Sequence, residues 1–551
     1  KKSKFISSRV VKPYIPSLLV QFRSSLSKGF QVIREKFIPE RATTELPVIS
    51  DLEVNDEEDL LVPTSTRSWT VLFGRPMVLA TIFIAAITIA WARHRYGPIA
   101  GGALAESPQN ASDLFKLYIS SWHEIGMGSG LSTPPWVALL ASASILTFGN
   151  VAFFITALFL LAPFIFLYSA HRYLKKYTDN EWLSAGASLL YALSPVAITA
   201  INTGRLGIIV MLALLPIFFG QLRNWVEIDA QSWRRIFAYS LSIWLIYAFN
   251  PSVLLIVFIA VIFALVIDFK GAGRDFKNPI FASRVWRRFT ILLIPFLLSA
   301  PGSFASIIHP SRLLTEIGFS ISGGGPSLAI LGNPGGPGSP PWWCLSPIVL
   351  ILLVTFFSST AARKFSYQGI IFLLSATLIS SLLIPANGSA MSVPVFSGTF
   401  LAIATLFSVT AAVVMFNKIR SRLQNSHLNY RHVSVAAVLL LSVTYSASSA
   451  FWLMTVGADS PLKNSASRIL PAFLAIEEDA KTVILRPLRH SGEVSLSYYI
   501  SRGSEITLGQ PDVAPPAVPV ISRAIEGLVD NTGITSSKIL SDHGIKYVFL
   551  K

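Results

Sequence analysis

Cysteine is almost absent from this chain: Cys344 is the only one among 551 residues. That excludes an internal disulfide and a cysteine-built metal site, and it leaves the compartment unreadable from redox chemistry. Charge is scarce as well, at 13% of residues against 52% hydrophobic, with a mean hydropathy of +0.57. An ordinary soluble domain carries about twice that share of charge. No Gly-x-x-x-x-Gly-Lys-Ser/Thr loop occurs, which argues against an ATP-driven pump. Acids are nearly missing from the apolar runs, Asp268 standing at one end of a run. Ion-coupled transporters place acids at mid-membrane, so secondary transport is disfavoured. His123-Glu124 is followed by Met127 where a zinc-protease helix needs its second His. The chain opens Lys1-Lys2 with neither Met nor a signal-peptide pattern, and the expectation is a piece of a longer protein.

What the chain has instead is apolar runs of near-membrane length, at 76–92, 150–169, 183–201, 206–221, 236–250, 251–268, 289–305, 345–360, 367–385, 397–416 and 433–456. A bilayer-spanning helix needs about 20 residues. The pattern predicts an all-α polytopic membrane protein with about eleven transmembrane helices. The formal charge of +16 lies mostly in short loops between runs: His171 to Lys176, Arg223 to Arg235, Lys270 to Arg288, Arg363-Lys364 and Lys418 to Arg431. Basic loops alternate with loops of low charge. This alternation sets orientation and does not point to nucleic acid. It predicts a multi-pass membrane protein with a cytoplasmic N-terminus and outer loops at 93–149, 202–207, 306–344 and 386–396. Trp136 to Thr147, too short to span and bracketed by Pro134-Pro135 and Gly149-Asn150, is expected to be juxtamembrane or re-entrant.

Two flanking regions differ. Residues 1–75 alternate basic and apolar residues and then turn acidic through Asp56-Glu-Glu-Asp59. They read as interfacial helices or a basic linker, followed by a solvated tether on the cytoplasmic side. Residues 457–551 predict a small extracytoplasmic α/β domain, with strands at Thr482–Leu485 and Ile545–Leu550 and helices at Val518–Val529 and Ser536–Ser541. The membrane domain between them is 76–456.

The polar residues of the outer loops are the candidates for chemistry. Ser112 to Pro135 holds Asp113, Trp122, His123, Glu124, clustered glycines and a double proline. Asp113 fits either a catalytic carboxylate or an ordinary acid in a helix's first turn. His123 fits packing beside Trp122 as well as it fits a base. Arg205, in the turn Asn202 to Gly207, is either a cation for phosphate or carboxylate or a side chain snorkelling to headgroups. His309 and Arg312 open a loop whose Gly and Pro content, from Gly323 to Trp343, excludes helix and strand and suits a lid or binding loop. Trp342-Trp343 either anchors a span or offers a stacking face to a sugar ring. Transfer of a sugar to a hydroxyl needs a carboxylate to take the proton and a cation for the leaving phosphate. Asp113 or Glu124 with Arg205 or Arg312 would supply both.

Several stretches in one order carry a resemblance. Gly101-Gly-Ala-Leu104, Trp122-His-Glu-Ile-Gly-Met-Gly-Ser129, Thr133-Pro-Pro-Trp136, Tyr191-Ala-Leu-Ser-Pro195, Gly204-Arg-Leu-Gly207, His309-Pro-Ser-Arg-Leu-Leu314, Asn333-Pro-Gly-Gly-Pro337 and Gly544-Ile-Lys-Tyr-Val548 resemble the membrane half of large actinobacterial family 2 glycosyltransferase fusion proteins. The order of spans and loops also resembles GT-C polyprenyl-phosphate-sugar transferases. The first resemblance implies a place in the bacterial plasma membrane and an upstream family 2 transferase domain as a partner in the full-length chain. The second implies a polyprenyl-phosphate-linked sugar, an envelope glycan acceptor and membrane lipid as partners, and leaves room for a divalent metal. It also implies a catalytic acid in the first outer loop, matched by position to Asp113, then Glu124, then Glu106. Besides a glycosyltransferase, the resemblance accommodates a non-catalytic membrane module that anchors the upstream domain and passes on its lipid-linked product. A lipid or glycan transporter is a third reading.

Overall fold

The computed structural model describes residues 74–550 except 222–227, 229–231, 273–278, 322, 345, 386–391, 424–429, 466–479, 491–492, 503–505, 516–517 and 530–532. All of them belong to the unit Arg67–Lys551. The expectations for residues 1–73, and for the parts of the basic loops just excluded, lie outside the described residues.

Each of the eleven apolar stretches carries helix, but the lengths depart from expectation. Among the described residues five helices are long and apolar enough to cross a membrane: Pro76–His94, Val151–Leu174, Ser252–Lys270, Gly398–Lys418 and Val435–Thr455. Two bent pairs raise the number to seven, Glu181–Ala192 with Pro195–Asn202 at 43° and Phe281–Leu298 with Gly302–Ile308 at 107°. Proline explains both breaks. Pro195 and Pro301 cannot donate to the helix ladder, and the residue before each is pushed out of helical geometry. The expected run 345–360 is helical over Ile348–Phe356 and then breaks before the next helix begins at Thr360, and the end of 367–385 is a strand, Leu383–Pro385, paired antiparallel with Ser392–Pro394. Pro135–Ala143 and the short turn Ser144–Thr147 form one brief apolar helix.

The helix Gly398–Leu423 is the centre of the bundle, its apolar stretch almost wholly enclosed. Ala402, Ala404, Thr405, Ser408, Thr410 and Ala411 are buried along it. Small residues let neighbouring helices approach closely, and Thr405, Ser408 and Thr410 return their hydroxyls to their own helix backbone. At the periphery, Ser252–Ala272 turns Phe258, Ile259, Ile262, Phe263, Val266 and Ile267 outward. So continuous an apolar face suits lipid, as a membrane protein requires.

The C-terminal region has a three-stranded sheet in the order Glu493–Arg502, Lys481–His490, Ile545–Leu550, the first pair antiparallel and the second parallel. Pro519–Val529 and Gly533–Asp542 are its helices. The two expected strands and both helices are present, and Glu493–Arg502 is an additional strand. This region is joined to the first long loop at two places: Ile99–Ala100 pairs antiparallel with Lys463–Asn464, and Glu106 bridges to Thr507. Cys344 is buried.

The connection 306–344 corrects the expectation of neither helix nor strand. It contains the end of the helix Gly302–Ile308, a 3₁₀ turn at Pro310–Leu313 and a short helix at Gly325–Ala329. Proline sits in the first turn of the latter two, where its missing N–H has no helical partner to lose.

Candidate functional site

The helix Ala111–Ile119 carries Asp113 in its first turn. Asp113 is exposed, and its carboxylate lies 3.8 Å from the Lys116 ammonium one turn on. After the helix the chain folds back on itself, the backbones of His123 and Ser129 exchanging hydrogen bonds of 2.8 and 2.9 Å. His123 is buried, its Nε2 3.3 Å from the Thr133 hydroxyl, and burial pushes its pKa below the usual histidine value. The ring is therefore neutral near pH 7. Asp113, Lys116, Trp122, His123 and Glu124 line an open groove of about 350 Å³, closed on one side by Thr507, Leu508 and Gln510. A metal does not fit this donor set. Among the described residues no three His, Cys, Asp or Glu side chains lie together as ion ligands.

Arg205, expected at the outer edge as a phosphate-binding cation, is instead almost fully buried and paired with Glu316. Its guanidinium also lies 3.6 Å from the centre of the Phe396 ring and donates to the Ile321 carbonyl at 3.1 Å. Its charge is already matched, so it stabilises the turn. The neighbouring Gly204 is needed for the same packing: it has φ +72°, and a Cβ there would stand 2.7 Å from Leu104 Cβ and 2.9 Å from the Gly101 carbonyl. The glycine motifs at 101–104 and 204–207 thus bring two loops into backbone contact.

A second cavity, of about 130 Å³, forms where Phe281–Leu298 turns into Gly302–Ile308. The turn supplies Ser299, Ser303 and Ser306, and the 3₁₀ turn that follows supplies Arg312. Glu316 and Thr315 continue this wall, Leu131 to Pro135 and Tyr247 to Pro251 form others, and Asp512 enters from the C-terminal region. Ser299 and Ser303 are buried, and among the described residues neither hydroxyl has a hydrogen-bond partner. The half-buried Arg312 guanidinium has no ion pair or hydrogen bond among the described residues, and burial pushes its pKa below the usual arginine value. Arginine stays charged even so. Three unmatched donors around one small space form a ready seat for an anion, because leaving buried polar groups unpaired costs about 1–3 kcal/mol each.

Asp512 stands in the 3₁₀ turn Gln510–Val513. Its Oδ1 accepts from the Gly318 N–H at 2.9 Å, while Oδ2 has no aligned donor. Gly318 has φ +84°, and a Cβ there would fall 2.3 Å from the Ala103 carbonyl, so only glycine lets this strand of loop pass under the acid. Burial pushes the Asp512 carboxyl up to about 7, opposed in part by the Gly318 N–H and by the nearby indole N–H of Trp136, which makes no well-aligned bond to it.

The structure therefore separates the sequence candidates. Asp113, His123 and Glu124 share the open groove, Arg312 lies in the enclosed cavity, and Arg205 is tied to Glu316 at its side. His309, Trp342 and Trp343 are exposed and line neither space. Ser299, Ser303, Glu316 and Asp512 escaped notice in the sequence. Asp512 alone had a signal there, as the one charged residue between Ile506 and Ile521 in an apolar, proline-rich segment.

No protein-family model and no curated protein matches the chain. Among solved structures it is similar to the arabinofuranosyltransferase AftD from Mycobacteria, at 11% identity and a TM-score of 0.49 over 86% of this chain and 35% of that one. It is also similar to the Archaeoglobus fulgidus oligosaccharyltransferase tethered to an acceptor peptide, at 11% identity and a TM-score of 0.43 over 85% of this chain and 68% of that one. The same archaeal enzyme bound to an inhibitory peptide and a dolichol-phosphate matches at 12% identity and a TM-score of 0.34, over 70% of this chain and 56% of that one. The chain thus spans about a third of the length of the mycobacterial protein, and at such identities and scores its function has to come from its own residues.

Proposed function

We propose that this chain is a membrane glycosyltransferase module of cell-envelope glycan assembly, moving a sugar from a polyprenyl-phosphate carrier to a hydroxyl of a glycan acceptor at the outer face. The observation that carries the reading is the cavity at the Ser299 turn, where the Arg312 guanidinium and the hydroxyls of Ser299 and Ser303 have no partners among the described residues. A departing lipid phosphate is an anion of the size and charge such donors hold, and fixed donors in an enclosed site stabilise developing charge better than water does. The outward apolar residues on the same bent element, Leu297, Leu298, Phe304, Ile307 and Ile308, suit the lipid chain that such a donor carries. The stretches that resemble membrane glycosyltransferases support sugar transfer over transport.

The test is transfer of labelled sugar from polyprenyl-phosphate pentoses and hexoses to the envelope glycolipid fraction, in membranes that carry this chain or its Arg312→Ala variant. The reading expects transfer that depends on the chain and falls about 10²–10³-fold in the variant, the cost typical of removing one donor from a charge-stabilising site. Transfer that requires a separately supplied family 2 transferase, and is indifferent to Arg312, would reduce the chain to that enzyme's membrane anchor. Movement of the carrier without a new glycosidic bond would make it a transporter.

A further inference from the structure

We propose that Asp512, contributed by the C-terminal region, is the general base that takes the acceptor hydroxyl's proton in the cavity at the Ser299 turn. The inference rests on the glycosyl-transfer reading above and adds a reacting group from a part of the chain outside the membrane helices. Two carboxylates, Glu316 and Asp512, line the cavity, and they are not equivalent. Glu316 faces the buried Arg205 guanidinium and is held as its counter-ion. Taking up a proton there would leave a buried cation unmatched, which makes Glu316 a poor base. Asp512 has no cationic partner among the described residues. Its Oδ1 is fixed by the Gly318 N–H, and its Oδ2 has no hydrogen bond to give up.

The step balances within the cavity. The acceptor oxygen forms a bond to the anomeric carbon, and the bond from that carbon to the phosphate oxygen breaks. The electron pair leaves on the phosphate, where Arg312, Ser299 and Ser303 stand. The hydroxyl proton passes to Asp512 and from there to the departing phosphate or to water. A base works best when its pKa lies near the working pH, and burial has brought this carboxyl to about 7. The titratable and charged groups that share the cavity with it are Arg312, Glu316 and Tyr247, with the neutral Trp136 indole and Gly318 amide packed against it.

The experiment uses the full chain in membranes, with Asp512→Asn, Asp512→Glu and Arg312→Ala beside the natural protein. Three quantities are read: labelled-sugar transfer across a range of pH, cross-linking by photoreactive polyprenyl phosphate, and the yield of monodisperse protein in detergent. Asp512→Asn should lower turnover about 10²–10⁴-fold, keep cross-linking and yield, and lose the rise in rate with pH that the natural chain shows around 7. Asp512→Glu should restore part of the turnover with a displaced rise. Turnover of Asp512→Asn within threefold of the natural chain, or an unchanged pH profile, would overturn the proposal. So would losses of turnover, cross-linking and yield in parallel with no recovery in Asp512→Glu, since that is the signature of a structural acid. If Arg312→Ala cross-links and transfers normally, the phosphate seat fails while Asp512 is still judged by its pH profile. If the natural chain transfers no sugar, both readings fall.

Discussion

The groove under Trp122 and the cavity at the Ser299 turn contain the same kinds of group, a carboxylate and a cation, in opposite surroundings. In the groove, Asp113 and Lys116 lie 3.8 Å apart on one exposed helix surface. Solvent screens such a pair to about 0–1 kcal/mol. In the cavity Arg312 and Asp512 are partly shielded from water and are not matched to each other, and each departs from its usual pKa. The difference teaches that the position of an acid in the first outer loop says little about reactivity unless the fold also takes it out of water. A neutralised surface charge is at rest. A partly buried one that no opposite charge matches is poised to act on something that arrives.

That contrast can be broken at several points. The largest effect is expected from Glu316→Gln, which leaves the Arg205 guanidinium buried without its counter-ion. A loss of about 3–5 kcal/mol of stability should follow, seen as a fall in detergent-solubilised yield and thermal midpoint. Next comes Arg312→Ala, expected to remove about 2.7–4 kcal/mol of transition-state stabilisation while leaving the thermal midpoint nearly unchanged. Such a split between activity and stability would mark the two arginines as different in kind.

A pH series sharpens the comparison further. Because Asp512 is raised in the folded chain to about 7 from an ordinary 3.8, the folded state keeps its proton longer than the unfolded state does. Its contribution to stability is therefore best below about pH 4 and is lost as pH rises toward 7. Thermal midpoints of the natural chain should fall across that window relative to Asp512→Asn, in which the dependence should disappear. The smallest effect belongs to the groove. Asp113→Asn removes a first-turn acid and an exposed ion pair, each worth under about 1 kcal/mol, and should change transfer by less than about threefold. A hundredfold loss from Asp113→Asn would invert the comparison and return the chemistry to the groove.

The apolar runs were legible in the sequence because hydropathy is a local property, and so were Thr482–Leu485 and Ile545–Leu550 with the two helices between them. The breaks at Ser194-Pro195 and Ala300-Pro301 carried a proline signal, but a run of apolar residues on either side hid the 107° turn that makes the cavity. Arg312 was visible as a cation in a polar loop. Whether it or Arg205 stayed free was not, since that depends on Glu316 reaching Arg205 across more than a hundred intervening residues. Asp512 meets Gly318 over a separation of 194 residues, a pairing that no periodicity records. Asp113 drew attention because its neighbours in the chain are polar, and their water-facing placement is a property of the fold alone.

One feature of the bundle bears on how this protein can be handled. Cys344 is buried at 4% exposure, so a hydrophilic thiol reagent has little to attack in the natural chain. The protein is thus a quiet background for cysteines introduced one at a time. A cysteine at exposed Ser121 and another at exposed Lys364 would let membrane-impermeant maleimides report, from intact cells, which side each loop faces.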